Sequence, residues 1–161
     1  LIELIEIVKK SKTNEEKKKS MEDLGFYIFS NLDGFSAEKR DLRSSAEECD
    51  LLISNESKDP FFEKLGSPII VECRNRESSF SAKDLRDFKG KIESLGLNCG
   101  LIISKKGLTG TIDSDAKFLI RESRTKGVII IPLELHDIEF VAEGANLMRI
   151  IKKKYYDLFQ L

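Results

Sequence analysis

Asp50, Glu72 and Arg74 are the residues of this sequence whose types and spacing could do chemistry together. Glu72 and Arg74 stand two apart at the end of the run Ile69-Ile70-Val71-Glu72-Cys73-Arg74, and side chains two apart on a strand share a face. Asp50 ends an acidic cluster, Glu47-Glu48-Cys49-Asp50, on the preceding apolar segment. If the two segments pair as adjacent antiparallel strands, one face carries two carboxylates and a cation side by side. Carboxylates, waters and phosphate oxygens are the ligands that Mg²⁺ takes. Such an ion polarises a phosphodiester and supplies hydroxide, and a neighbouring cation stabilises the extra negative charge of the transition state. A plain ion pair on a solvated strand is the competing reading of a Glu-x-Arg spacing. The apolar run before Glu72 weighs against it, because a charge on a strand buried on both sides is costly unless it is paired or metal-bound.

Other chemistries have less to work with. The single histidine, His136, is the one possible imidazole base, and it falls in a helical C-terminal segment where a surface or packing role is expected. Cys49, Cys73 and Cys99 are odd in number and form no CxxC pair, so a zinc knuckle is not expected; each reads as a reduced, buried small side chain. Gly107 to Gly110 is glycine-rich, but Thr111-Ile112 follows where a nucleotide-binding loop needs Lys-Ser/Thr. The lysine runs 17–19 and 152–154 read as solvated faces, one of which could touch phosphate.

The elements that must position Asp50 and Glu72 follow from periodicity. Leu1, Leu4, Ile5 and Val8 have helical spacing, as the tail of a linker helix would. Thr13 with Glu16 forms a capping box, and Met21, Leu24, Gly25, Ile28, Phe29 and Leu32 mark one stripe, which predicts a helix over 14–31. Strands are expected over 35–42 and 47–54, separated by a turn at Ser44-Ser45. In the second of these, Cys49, Leu51 and Ile53 would share one face, and Glu48, Asp50 and Leu52 the other. Residues 55–67 read as loop, pinned by Phe61-Phe62. Residues 68–74 form the clearest strand, with β-branched Ile69, Ile70 and Val71. Ser81 and Asp84 open a helix that Gly96 closes, and residues 99–104 form another strand, which makes a βαβ unit with a parallel pair. A helix starting at Thr109 or Thr111, a strand over 128–131 stopped by Pro132, and two helical pieces broken near Gly144 complete the chain.

Composition bounds the rest. The chain has 161 residues, 40% hydrophobic and 34% charged, enough for one core. Lys plus Arg number 27 and Asp plus Glu 28, a net charge of −1, which excludes a generally cationic nucleic-acid coat and leaves only local basic patches. No apolar run approaches the roughly 20 residues of a bilayer span. No secretory signal is visible, so a reducing cytoplasm is expected. With no initiator Met, the chain reads as a fragment of a longer protein that has an upstream regulatory or recognition domain.

Four ordered blocks, MEDLGFYIFSNLDGF, EECDLLIS, PIIVECRNRESSFSAKDLRDFKGKI and CGLIISKKGLTG, resemble the Mrr-like branch of the PD-(D/E)xK restriction-endonuclease superfamily, over about residues 19–127. The resemblance implies an α/β fold, a restriction-endonuclease-like three-layer sandwich with a central mixed sheet of about five strands between helices. It implies Asp50 and Glu72 as ligands of Mg²⁺ (or Mn²⁺), with the backbone carbonyl of Cys73 as a third contact. Glu22 matches the acidic residue that many members aim at the site. Ser104, Lys105 and Lys106 match a small-polar and basic turn beside DNA. Arg74 departs from the family, which has Lys there. Arg does not give up its proton, so Arg74 is no general base, but it can hold a phosphate oxygen. A displaced lysine, Lys83 or Lys105, could substitute for it.

These readings divide the chain into a linker over 1–13, a nuclease-like core over 14–132 and a C-terminal helical extension over 133–161. The function they imply is metal-dependent hydrolysis of DNA, with RNA the less favoured substrate, by the effector part of a prokaryotic restriction or antiphage-type protein. Cutting both strands favours a homodimer. The rival is a catalytically degenerate module of the same fold that binds nucleic acid or a protein.

Overall fold

The computed structural model describes residues 1–39, 49–109 and 115–159. The strands β1 (Phe35–Lys39), β2 (Leu51–Asn55), β3 (Ile69–Arg74), β4 (Cys99–Ser104) and β5 (Ile129–Glu134) form one sheet in the order β1-β2-β3-β4-β5. The first two pairings are antiparallel and the last two parallel, so the sheet is mixed. The helices are α1 (Ile2–Lys10), α2 (Asn14–Ser30), α3 (Pro60–Glu63), α4 (Ala82–Ser94), α5 (Asp115–Thr125), α6 (Leu135–Ala142) and α7 (Leu147–Asp157). They cover both faces of the sheet and give the expected three-layer α/β sandwich.

Strand alternation divides the core into two layers. Leu51, Ile53, Ile69, Val71 and Cys73 face one side, where α1, α2, α6 and α7 add Ile5, Val8, Leu24, Phe29, Ile138 and Ile151. Ile70 and Ile102 face the other, against Leu85, Phe88 and Ile92 of α4 and Ile120 of α5. Both crossovers from β3 to β4 and from β4 to β5 run through helices of this second layer, as parallel neighbours require. The expected capping boxes are present, Thr13 with Glu16 on α2 and Ser81 with Asp84 on α4.

Several local expectations are corrected. Residues 60–63 form a helical turn rather than loop, because Asp59 accepts the Phe61 N–H and Pro60 occupies the first helical turn, where a missing N–H costs nothing. Cys49 packs with the α4 layer, apart from Leu51 and Ile53, because it precedes a bend at Asp50 and the strand begins only at Leu51. Pro132 does not stop β5, which runs on to Glu134; β5 is an edge strand, where proline is tolerated. Thr109 itself lies in a loop, its N–H donating to the Phe80 carbonyl beside the Phe80–Leu108 bridge, and the helix is described from Asp115 onward. The turn at Ser44-Ser45, the far end of the first predicted strand, the start of the second, and Thr111 lie outside the described residues.

Two glycines test the packing of α4 on the sheet. A Cβ at Gly100 of β4 would lie 2.7 Å from both Ile92 Cδ1 and Phe88 Cζ, whereas one at Gly90 of α4 meets nothing within 4 Å. Gly100→Ala is expected to destabilise the protein by about 1–3 kcal/mol through overpacking. Gly90→Ala is expected to stabilise it by up to about 1 kcal/mol through helix propensity. Urea unfolding of both variants checks this, and shifts of the same sign would contradict the packing described.

Candidate functional site

A cleft of about 820 Å³ opens where β2 begins and β3 ends, between the first turns of α2 and the helix α4. The β2–β3 pairing runs Ile53–Ile69, Leu52–Ile70, Leu51–Val71, and the same register continued one step sets Asp50 opposite Glu72. The ladder itself stops at Leu51. Beyond it the Asp50 carboxylate takes over as acceptor, with the Cys73 N–H donating to Oδ2 at 2.7 Å. The antiparallel pairing of β2 with β3 is present, but Asp50 lies on the bend before β2 and reaches the end of β3 through the Cys73 N–H rather than through the ladder.

Glu72 is buried, its side chain only 8% exposed, and both of its oxygens are paired. Arg74 Nε donates to Oε1 at 3.0 Å, and Lys91 Nζ donates to Oε2 at 3.1 Å. Arg74 also reaches Asp84 of the α4 capping box through Nη1, at 3.2 Å, and lies over the Phe80 ring. The contacts form two rungs between β3 and α4. Arg74 and Glu72 are two apart on the strand, while Asp84 and Lys91 are seven apart, two turns along one helix face.

Asp50 feels this arrangement most. Burial pushes its carboxyl up to about 6 from an ordinary 3.8; the negative charges of Glu72 and Glu22 push the same way, against the Cys73 N–H and the charge of Lys18. Apart from the bond to Cys73, Asp50 makes no hydrogen bond among the described residues. Arg74 holds the Asp84 carboxyl below the usual range only in part; burial opposes the shift, and the Ser81 hydrogen bonds act with the nearby Arg74 and Arg76 charges to produce it.

The other expected residues fall in different places. Glu22 of α2 lies 3.8 Å from Lys18 and contributes its charge to the field at Asp50. Lys105 turns into an ion pair with Glu77, and its N–H donates to the Arg74 carbonyl at 2.9 Å. Lys83 is exposed on the first turn of α4 and Lys106 is exposed after β4; neither lines the cleft. Ser104 is buried, with no hydrogen-bond partner for its hydroxyl among the described residues. His136, half-exposed, lies beside Glu134 and Asp137 away from the cleft.

Sequence reasoning missed Lys91 and Asn75. Lys91 brings a lysine to Glu72 from α4, where neither Lys83 nor Lys105 does. Its signal was the seven-residue spacing from Asp84. Asn75 follows Arg74, lines the cleft, and donates Nδ2 to the Val8 carbonyl of α1 at 2.9 Å.

Among the described residues no three Asp, Glu, His or Cys side chains are grouped to hold one metal ion. A Mg²⁺ ion that keeps several waters needs only one or two carboxylates. Asp50, disfavoured as an anion by burial first and by the charges of Glu72 and Glu22 after it, has the chemistry of such a ligand. Glu72 fits once it exchanges Arg74 or Lys91 for the ion.

The Asp50 environment sets a pH dependence of stability. Folding raises its pKa, so the folded state resists ionisation more than the unfolded chain does. The resulting penalty is absent below the ordinary value near 3.8, grows as pH rises, and is complete above about 6. Asp50→Asn is therefore expected to stabilise the protein by about 1–3 kcal/mol above that upper value and to have little effect below the lower one. Denaturant unfolding at the two extremes checks the sign; an equal effect at both would contradict it.

No family model and no curated protein matches the chain.

Proposed function

We propose that this chain is a metal-dependent nuclease domain that hydrolyses the phosphodiester bonds of DNA, the effector part of a larger cytoplasmic protein. The observation that carries the reading is that Asp50, held by the Cys73 N–H, and Glu72 line one cleft close enough for the charge of Glu72 to act on Asp50, between walls that are cationic. Lys17, Lys18, Arg74, Arg76 and Lys91 line it against Asp50, Glu72 and Glu77. A polyanion is attracted to the walls while the carboxylates at the base receive a divalent cation. The likeness of the four sequence blocks to the PD-(D/E)xK superfamily points the same way.

In this reading Asp50, Glu72 and the Cys73 carbonyl hold Mg²⁺ or Mn²⁺, and Glu22 adds negative charge from α2. The bound ion supplies Lewis acidity and a water of lowered pKa. The protein's own side chains do the remainder. Arg74, released from one of its two carboxylates, places a fixed positive charge against a phosphate oxygen. Lys91 offers an ammonium at the depth of Glu72, where a motif lysine is lacking on β3. Lys17 and Lys18 hold the strand against the α2 wall. A homodimer presenting two such clefts would cut both strands of a duplex.

The double pairing of Glu72 favours a second reading. A carboxylate satisfied by Arg74 and Lys91 is stable without metal, and the same cationic walls then serve a non-catalytic module that binds nucleic acid.

Plasmid cleavage with Mg²⁺ or Mn²⁺ separates the two. A nuclease loses cleavage in chelator, in Asp50→Ala and in Glu72→Ala. Lys91→Ala and Arg74→Ala are each expected to slow it about 10²–10³-fold, the usual loss of one electrostatic stabiliser, while Arg74→Lys retains it. Plasmid left intact by wild type and by Arg74→Lys, with DNA binding unchanged, would establish the module instead.

A further inference from the structure

Glu77 stands out on the rim of the cleft, an exposed carboxylate in a basic surround. Its side chain is 64% exposed, yet it is held in an ion pair by Lys105. Lys105 is 21% exposed, so its stem is packed while its head meets Glu77. The Lys105 N–H is bonded to the Arg74 carbonyl, which fixes this turn to the end of the site strand. Lys106 and Lys17 lie near enough for their charges to join that of Lys105 in holding the Glu77 carboxyl below its ordinary range. Lys17 and the adjacent Arg76 line the same cleft and make no ion pair among the described residues. An exposed ion pair contributes little to stability, so the fold does not depend on this contact. What the contact does is offset one of the positive charges clustered at this edge of the cleft.

We propose that Lys17, Lys105 and Lys106 form a phosphate-binding subsite for a nucleic-acid strand, and that Glu77 covers this subsite until a backbone phosphate displaces it. The proposal rests on the nucleic-acid reading of the cleft and adds to it a built-in competitor. A carboxylate and a phosphodiester carry the same charge at neutral pH, so one exchanges for the other on the Lys105 ammonium with no net change of charge at the site. The exchange costs each bound phosphate strand about the worth of one exposed ion pair at this subsite.

The test is a double-mutant cycle read by binding alone. The affinity of a labelled single-stranded DNA oligonucleotide is measured in chelator, over a series of salt concentrations. The proteins are wild type, Glu77→Gln, Lys105→Ala, the double variant, and Glu56→Gln, which removes the same charge from an exposed position outside the cleft. Glu77→Gln is expected to tighten binding about twofold to fivefold, the equivalent of one exposed ion pair. Lys105→Ala is expected to weaken binding and to lower the slope of log K against log salt by about 0.7, one phosphate contact on a single strand. In the Lys105→Ala background the gain from Glu77→Gln falls to that of Glu56→Gln. An equal gain in both backgrounds reduces Glu77 to a contributor of overall charge and overturns the proposal. Absence of binding by wild type, or poly-glutamate binding as tightly as DNA, overturns it too, the latter in favour of an acidic protein partner. A positive cycle in a protein that cuts no DNA keeps the subsite and removes the hydrolytic reading; cleavage without coupling between Glu77 and Lys105 does the reverse.

Discussion

The burial of the Glu72 carboxylate is the constraint around which the site is built. A carboxylate taken out of water at the end of a strand is strongly unfavourable unless its oxygens are satisfied by charge and hydrogen bonds together. Here one oxygen meets Arg74 of its own strand and the other meets Lys91 of the crossover helix. The pairing requires α4 to lie along β3 with Asp84 beside Arg74 and Lys91 beside Glu72. The βαβ crossover delivers that alignment, and Phe88 and Ile92 packed on Gly100 hold it at close range. The capping box that starts α4 thus has a second duty, since Asp84 receives both the Ser81 groups and the Arg74 guanidinium.

Asp50 carries the consequence. It sits where the β2–β3 ladder gives out, bound to the Cys73 N–H and facing the field of Glu72 and Glu22. Its carboxyl, pushed up to about 6, lies close enough to neutrality for the site to hold part of its negative charge as a proton. Under the proposed function, a divalent cation and a proton would be alternative partners for this group. The cations that α2, α4 and the segment after β3 contribute to the walls carry the opposite charge, and under the proposed function they would attract a polyanion that the floor repels. Positive charge at the rim and negative charge at the base are thus the two opposed features of the cleft.

Much of this was legible in the sequence because it was local. The capping box at Thr13 and Glu16, the β-branched run before Glu72 and the Ser81–Gly96 helix each carry their signal within one element. The antiparallel pairing of β2 with β3 followed from the short connection between two apolar segments. What was missed depends on how elements dock. Lys91 reads as an ordinary helix lysine until α4 is laid on β3, and only then does its spacing from Asp84 match that of Glu72 from Arg74. Pro132 reads as a strand stop unless β5 is known to be an edge. The helical turn at 60–63 depends on Asp59 as cap and Pro60 in the first turn, where a proline read only as a breaker is in fact a helix start. Cys49 was assigned to the wrong face because alternation was extended across the bend at Asp50.

The most direct measurement is a pH titration of the Asp50 side-chain carboxyl carbon by NMR, without and with Mg²⁺. The account predicts a midpoint near 6 in the metal-free protein, moving to lower pH as Mg²⁺ is added because the ion competes with the proton. A midpoint at the ordinary aspartate value near 3.8 that does not respond to Mg²⁺ would contradict it.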